Sequence, residues 1–135
     1  DEDVHMVFNK TYQLLQVASA AVVTSGTATL ETALFYVPEV VCYKGNPISY
    51  FIAKKLIKVK YISLVNLIMN KAVVKELIQN DLTAENISVE LRQILSDTKR
   101  QRALLEDYEE LRFLLGNAGA SDNAALIIIN DLKKQ

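Results

Sequence analysis

The stretch AAVVTSGTATLETALFYVPEVVCYK, residues 20–44, decides the fold because it changes from a strand pattern to a helix pattern within two residues. The continuous apolar run 20–24 is typical of a buried parallel strand. Apolar residues then recur at helical spacing over 26–36, and Pro38 ends that helix. A second buried strand follows at 39–43. This alternation of strand and helix predicts a parallel α/β sheet.

The elements on either side of this stretch extend the same alternation. Residues 4–8 alternate enough for a strand, and 11–19 carry a helical pattern. Downstream, a lysine-rich helix is predicted over 47–58, an extended segment over 61–66 and a short helix over 73–79. A complete doubly wound domain has more strands than these, so we expect its N-terminal part to lie outside this sequence.

The second half of the chain has the pattern of helices alone. Thr83 and Asp97 are placed to cap two successive helices, and Ser121 to cap a last one. Two inner faces are predicted, the first formed by Leu91, Ile94 and Leu95 and the second by Leu104, Tyr108, Leu111 and Leu115. The chain therefore ends in a helical tail.

Composition narrows the classes of function. Half of the 135 residues are apolar, so the chain can build a core, and the formal net charge is −1, so nucleic-acid binding would need a local basic patch. The single cysteine, Cys42, lies in an apolar run and predicts a buried structural thiol in a reducing, cytoplasmic setting. No stretch is long enough to span a bilayer or resembles a signal peptide.

The turn at Ser25 has the chemistry of a phosphate site. Ligands of open α/β sheets bind beyond the carboxyl ends of the strands, and the free N–H groups at the start of a helix attract an anion. Gly26 lets a phosphate approach the backbone, and the hydroxyls of Ser25 and Thr27 can donate to its oxygens. Glu31, one helical turn past Thr27, can accept hydrogen bonds from a ribose. The unit fits a nucleoside diphosphate.

A purely structural interpretation of the same turn stays open. In it, Ser25 is only an N-cap and Gly26 only relieves crowding. The turn is neither a Walker A loop nor a G-x-G-x-x-G fingerprint, and Ser25 does not lie in a G-x-S-x-G nucleophile motif. His5 is the only histidine, so no catalytic triad can be assembled. We expect neither a metal site nor a cofactor.

Five ordered pieces of the sequence carry a family resemblance. The segment TSGTATLETALFYVPEVVCYKGNPISYFIAKKLIKVKYISLVNLI, followed by VVKELIQ, resembles the C-terminal region of lipid-A-disaccharide synthases. Members of that family carry S-G-T-A-x-L-E, P-x-V-V-x-Y-[KR], a lysine-rich helix, S-L-P-N and [VL]-x-E-L-L-Q in this order. The match spans Val22 to Gln79.

The resemblance implies the C-terminal half of a GT-B glycosyltransferase. Such an enzyme transfers diacylglucosamine from its UDP-linked donor to lipid X, a diacylglucosamine phosphate, and forms the lipid A disaccharide precursor and UDP. Residues 1–80 would form a partial Rossmann-like UDP-sugar-binding domain, and 81–135 the C-terminal helices that pack on it. The family's catalytic carboxylate belongs to the N-terminal half, so we expect this chain alone to be inactive.

The resemblance also assigns residues. Ser25, Gly26 and Thr27 would face the diphosphate and Glu31 would hold the ribose. Asn66 is expected to be among the positions that matter most for activity, with a catalytic and donor-binding role, and Glu76 and Gln79 would sit near the donor. Two departures weaken the match: Val65 stands where many members have proline, and Asn70, Lys71 and Ala72 replace a usual G-R-E, so Lys71 is a poor substitute for a phosphate-binding arginine.

The lysine-rich helix suits a membrane surface that carries anionic lipids. Lys54, Lys55 and Lys58 are predicted to face the cytoplasmic side of the inner membrane, which fits lipid substrates; the alternative is an ordinary packed helix with solvated lysines. The apolar stripe of the tail is compatible with a homodimer, although packing within one chain is the more common explanation for such a stripe. The remaining alternatives for function are another UDP-sugar GT-B enzyme and a non-catalytic interaction module that keeps the fold.

Overall fold

The structure, a computed structural model, describes residues 3–46 and 60–116 together with Ala125, 127–130 and Leu132. Its elements in chain order are α1 (Thr11–Val17), β1 (Ala21–Thr24), α2 (Thr27–Leu34), β2 (Glu39–Tyr43), α3 (Leu64–Met69), β3 (Lys75–Ile78), a 3₁₀ turn (Gln79–Asp81), α4 (Ala84–Ser96) and α5 (Thr98–Leu115). Residues Ala125, 127–130 and Leu132 are helical.

The three strands form one parallel sheet in the order β1-β2-β3. Val23 of β1 pairs with Val41 of β2, and Val41 pairs with Glu76 of β3. Because all strands run the same way, their carboxyl ends meet at one edge, where α2 begins directly after β1. The predicted Rossmann-like α/β fold with flanking helices is confirmed.

Each face of the sheet is covered by different helices. On one face, α2, α3 and α5 bury a cluster formed by Ala33, Val41, Val65, Val74, Leu104, Tyr108 and Leu111. On the other face, α4 covers a smaller cluster of Val40, Leu77 and Ile94. The helices after residue 81 therefore pack on the sheet, while the proposed division into domains 1–80 and 81–135 stays a prediction.

The strand predicted over 4–8 is wrong. This segment has no regular secondary structure, and Val4, Met6 and Phe8 are each at least 70% exposed. A strand forms only where a neighbour takes up its backbone hydrogen bonds, and no described residue pairs with this segment. The helix predicted after it is α1, in which Leu15 is buried while Tyr12 and Leu14 are exposed.

Two predictions near the third strand are also wrong. The segment 61–66, expected to be extended, turns into α3 at Leu64 because the Ser63 side chain accepts the Asn66 N–H as an N-cap. The helix expected over 73–79 is instead β3, since its backbone pairs with β2. A short apolar run does not by itself distinguish a helix from a strand.

The predicted caps of the later helices are confirmed. The Thr83 side chain accepts the Asn86 N–H, and the Asp97 carboxylate accepts the N–H groups of Lys99 and Arg100. The two inner faces are shorter than predicted, because Leu95 is 51% exposed and Leu115 is 41% exposed. The predicted helix over 47–58 and the cap at Ser121 lie outside the described residues.

Candidate nucleotide site

The turn from β1 to α2 has a backbone that requires glycine. Gly26 adopts φ +154° and ψ −163°, a region that L side chains rarely enter. A Cβ atom built on Gly26 would meet no atom within 4 Å, so conformation and not crowding selects glycine here. The expectation that Gly26 only relieves crowding is therefore wrong.

Within the described residues, no side chain caps the N-terminus of α2. Gly26 occupies the N-cap position, whereas α3, α4 and α5 each begin with a side-chain cap. The Thr29 hydroxyl turns back to donate to the Gly26 carbonyl at 2.8 Å. The helix thus presents its first N–H groups and its positive dipole end at the carboxyl edge of the sheet, which is the arrangement that attracts phosphate.

Ser25 is held by its neighbours and does not cap α2. Its N–H donates to the Cys42 carbonyl at 3.0 Å, and its Oγ donates to the Ile62 carbonyl at 3.0 Å. A carbonyl oxygen only accepts, so the one hydroxyl proton of Ser25 is committed to Ile62. The interpretation of Ser25 as an N-cap is wrong, and its hydroxyl is left as an acceptor toward any ligand at the turn.

Thr27 and Glu31 lie along the open side of α2. Thr27 is exposed at the first position of the helix, and Glu31 is partly buried one turn later. The Tyr12 hydroxyl of α1 approaches Glu31 Oε1 at 3.5 Å, and the Tyr12 ring stacks on Phe35 with ring centroids 5.4 Å apart. Thr27 and Glu31 are thus on the same helix, one turn apart, with Thr27 at its N-terminal end.

Glu76 is the acceptor at the centre of a hydrogen-bonded cluster. Its carboxylate accepts the N–H of Ile62 at 3.1 Å, the N–H and the hydroxyl of Ser63 at 2.9 and 2.8 Å, and Nδ2 of Asn66 at 2.9 Å. Ser63 and Asn66 are buried. The four donors occupy the carboxylate within the protein, so Glu76 organises the segment before α3.

Asn66, expected to be among the most important residues for activity, is 1% exposed. Its Nδ2 donates to the Val74 carbonyl and to Glu76, both at 2.9 Å, and its Oδ1 accepts the N–H groups of Val73 and Val74 at 2.8 and 2.9 Å. Both ends of the amide are used to join α3 to the start of β3. Its expected role in catalysis stays a prediction.

Gln79 follows β3 at the carboxyl edge of the sheet. It adopts φ +54°, which is uncommon for a residue with a side chain, and its buried Nε2 has no hydrogen-bond partner in the part of the chain that the structure describes. Backbone strain together with an unpaired donor is frequent at binding sites. The structure thus places Gln79 at the same edge as the turn, and its contact with a donor stays a prediction.

The basic residues singled out from the sequence have separate outcomes. Lys54, Lys55 and Lys58 lie outside the described residues. Lys71 forms an ion pair with Asp107 of α5, and this hydrogen bond raises the pKa of Lys71.

Cys42 is a buried free thiol, as predicted for a structural cysteine, and burial raises the pKa of this thiol.

A buried carboxyl lies at the opposite edge of the sheet. Glu39 begins β2, is 1% exposed, and neither of its carboxylate oxygens has a hydrogen-bond partner among the described residues. Burial raises its pKa to about 9. It lines a cavity of about 400 Å³ near the amino ends of β2 and β3, and the buried Tyr108 hydroxyl beside it donates to the Val37 carbonyl at 3.3 Å.

Two features are absent from the part of the chain that the structure describes. Within it, no group of three or more His, Cys, Asp or Glu side chains is arranged to hold a metal ion. Nor does any helix there have the length and apolar character needed to cross a membrane.

Sequence reasoning missed Ser63, which is fully buried and joins Glu76 to α3. The available signal was its position three residues before Asn66, which is the spacing of an N-cap to the N–H that it accepts. The contact of Ile62 with Ser25 had no such local signal, because the two residues are far apart in the chain.

Comparison with known proteins identifies the family. Residues 1–129 match the family described as Lipid-A-disaccharide synthetase. The chain belongs to this family. It is 43% identical over 131 residues to the lipid-A-disaccharide synthase of Syntrophus aciditrophicus, an overlap of 97% of this chain and 34% of that protein.

Other members of the lipid-A-disaccharide synthetase family have similar identity to this chain and a similar overlap with it. The synthase of Geobacter sulfurreducens is 36% identical over 133 residues, which are 98% of this chain and 35% of that protein. The synthase of Sulfurihydrogenibium sp. is 34% identical over 134 residues, 99% of this chain and 34% of that protein. The chain thus spans about a third of the length of the curated relatives that it matches.

Proposed function

We propose that this chain is the donor-nucleotide part of a glycosyltransferase that makes the lipid A disaccharide. The reaction joins diacylglucosamine from a UDP-linked donor to lipid X, and UDP is the leaving group. The family to which the chain belongs supports this reaction class. The uncapped N-terminus of α2, opened by a glycine-only backbone at the carboxyl edge of a parallel sheet, is the observation that carries the UDP-binding role.

The geometry suggests how the turn would hold UDP. The first N–H groups of α2 and the Thr27 hydroxyl would bind the diphosphate, whose negative charge is stabilised by the helix dipole. Glu31 would accept hydrogen bonds from the ribose. Ser25 and Asn66 are committed to protein partners, and their part is to shape the site.

Three further expectations, on the activity of the chain alone, on membrane association and on dimerisation, belong to the same proposal. The 135-residue chain alone transfers no sugar, because the carboxylate that the family resemblance implies for catalysis lies in another part of the protein. The complete enzyme works peripherally on the cytoplasmic face of the inner membrane, where its lipid substrates are, through Lys54, Lys55 and Lys58. A homodimer through the C-terminal helices would be consistent with the exposure of Phe113 and Leu114, which are 84% and 55% exposed.

A calorimetric titration of the full-length natural protein with UDP tests the proposal. We expect saturable binding that Thr27→Val and Glu31→Ala each weaken about fivefold to tenfold, since each removes a hydrogen-bonding group at the ligand. The matched control is Thr83→Ala, which removes the cap of α4 and destabilises the fold without touching the turn. Uridine in place of UDP measures how much of the affinity comes from the diphosphate.

The possible results of this titration lead to different conclusions about the UDP site. Binding that is weakened by Thr27→Val and Glu31→Ala but not by Thr83→Ala supports a nucleotide at the turn. Absence of UDP binding to the folded natural protein, or equal binding by all four proteins, would refute it. Sugar transfer by the purified 135-residue chain would refute the expectation that this part is inactive alone.

A further inference from the structure

The peptide group that joins Ile62 to Ser63 connects two functional regions of the molecule. Its N–H, on Ser63, donates to Glu76 Oε1 at 2.9 Å, and its C=O, on Ile62, accepts the Ser25 hydroxyl at 3.0 Å. A peptide group is planar, with its N–H and C=O pointing in opposite directions. The orientation that Glu76 gives to the N–H therefore also sets the direction of the carbonyl that holds Ser25.

Glu76 holds this peptide from more than one side. The Ile62 N–H lies 3.2 and 3.1 Å from the two carboxylate oxygens, so the preceding peptide group is fixed as well. The Ser63 hydroxyl and Asn66 Nδ2 complete the set of donors on Oε1. Hydrogen bonds to an ionised acceptor are shorter and stronger than those between neutral groups, so this carboxylate is the strongest restraint on the segment before α3.

Ser25 links the oriented Ile62 carbonyl to the glycine turn. It directly precedes Gly26, whose φ of +154° opens α2, and its N–H is bonded to Cys42 in β2. With its N–H tied to the sheet and its side chain tied to Ile62, Ser25 fixes the entry into the glycine turn. The first N–H groups of α2 receive their direction from this entry.

We propose that Glu76 is a positioning residue for the nucleotide turn, acting through the Ile62–Ser63 peptide on Ser25 and not through contact with the ligand. The proposal rests on the proposed UDP site and specifies how that site is kept in its binding geometry. Ser25 then shapes the turn, while the backbone N–H groups and Thr27 bind the phosphates. Removal of either end of the connection should weaken binding of the diphosphate and leave the contribution of the nucleoside unchanged.

A double-mutant cycle on the full-length natural protein tests this with Glu76→Gln and Ser25→Ala, alone and together. Each single variant is expected to raise the Kd of UDP about fivefold to tenfold, and the double variant no more than the stronger single variant, because coupled residues are not additive. The Kd of uridine should stay unchanged in all three. Glu76→Asp, which keeps the charge, replaces Glu76→Gln in the cycle where the latter does not fold.

The control separates positioning from stability. Thr83→Ala lies in another cap and should leave both dissociation constants unchanged. Without any ligand, the NMR amide signals of residues 25–28 should move in Glu76→Gln and in Ser25→Ala but not in Thr83→Ala. Additive effects of Glu76→Gln and Ser25→Ala, or equal losses for UDP and uridine, would overturn the positioning role.

The proposed function and this inference fail in different ways. A wild-type protein that does not bind UDP refutes the UDP site and the positioning of it. A protein that binds UDP in a Thr27-dependent manner, with no coupling between residues 76 and 25, refutes the positioning role alone.

Discussion

Glu39 and Glu76 are two carboxylates on adjacent strands, and their surroundings differ: Glu39 is buried, whereas Glu76 is partly buried. Both side chains point to the same face of the sheet, because Glu39 lies two positions before Val41, the residue paired with Glu76. Glu76 accepts hydrogen bonds from Ile62, Ser63 and Asn66, whereas Glu39 accepts none from the described residues. Charge in a protein interior is tolerated where donors replace water, and where they are missing the group stays protonated.

Glu76 and Glu39 also differ in their relation to the candidate nucleotide turn. The satisfied carboxylate lies behind the candidate nucleotide turn, to which its partner Ile62 is bonded. The unsatisfied carboxyl of Glu39 lies at the amino edge and lines a cavity together with Asn66 and Glu76, but the proposed function assigns no role to Glu39 itself. We therefore expect changes at Glu76 to cost both folding and binding, and changes at Glu39 to improve folding without affecting binding.

The largest effect is expected from Glu76→Leu. This change leaves the N–H groups of Ile62 and Ser63, the Ser63 hydroxyl and Asn66 Nδ2 without their acceptor, so the free energy of unfolding should fall by about 4 kcal/mol. Urea denaturation followed by circular dichroism measures the change. A loss of less than about 1 kcal/mol would mean that water replaces the carboxylate and that the contrast with Glu39 is smaller than the geometry suggests.

Glu39→Gln should act in the opposite direction. The folded protein keeps the Glu39 carboxyl protonated up to a pKa of about 9, while the unfolded chain releases that proton near the ordinary value of 4.5. Folding at pH 7 therefore requires proton uptake, and the variant avoids this cost, which is about 3 kcal/mol.

The same linkage predicts the pH dependence. Stability from Glu39 is greatest below pH 4.5, falls as the pH rises toward about 9, and is constant above that. The wild-type free energy of unfolding should lose up to about 1.4 kcal/mol per pH unit in this window relative to Glu39→Gln. Denaturation curves of both proteins at pH 4, 7 and 9 measure the difference. Parallel curves would show that Glu39 has an ordinary pKa in the folded chain.

An intermediate effect is expected from Ser63→Ala. The change removes one of the donors to Glu76 and the N-cap of α3 together, which should lower the free energy of unfolding by about 2 kcal/mol. Thr83→Ala, which removes only a cap, is the matched comparison and should cost about 1 kcal/mol. The excess in Ser63→Ala reports the bond to Glu76, and equal losses would show that this bond adds nothing.

The smallest effect is expected from Tyr108→Phe. The Tyr108 proton is donated to the Val37 carbonyl and not to Glu39, so its removal should cost about 1 kcal/mol and leave the pH dependence due to Glu39 intact. Denaturation at pH 4 and pH 8 checks both statements. A steeper fall of stability with pH in the variant would reveal that Tyr108 stabilises the Glu39 carboxylate after all.

The sequence predicted those parts of the fold whose signals are local. The boundaries of β2 agree with the apolar run 39–43, and β1 differs from its run by one residue. Thr83 and Asp97 were recognised as caps because a cap acts on N–H groups two or three residues away. The chain at 4–8 and 73–79 was misassigned, because strand formation depends on a partner strand that local patterns do not contain.

The candidate site also has some features that the sequence predicted and others that it did not. The sequence pointed to the glycine turn, since a short polar break between a buried strand and a helix is visible in the chain itself. It did not show that the Ser25 hydroxyl is committed to Ile62, or that Glu76 and Asn66 bond to each other rather than to solvent. These contacts bring residues from separate elements into hydrogen-bonding distance.

The sequence by itself therefore determined the strand–helix–strand unit, the caps of the later helices and the position of the glycine turn. Each of these follows from backbone conformation and from neighbours within about one helical turn. Only the tertiary structure decided that β3 is a strand, that Glu76 is surrounded by donors and that Glu39 has none. Whether a buried carboxylate is stabilised depends on which groups the packed elements bring to it, and that arrangement exists only once the sheet and its helices have assembled.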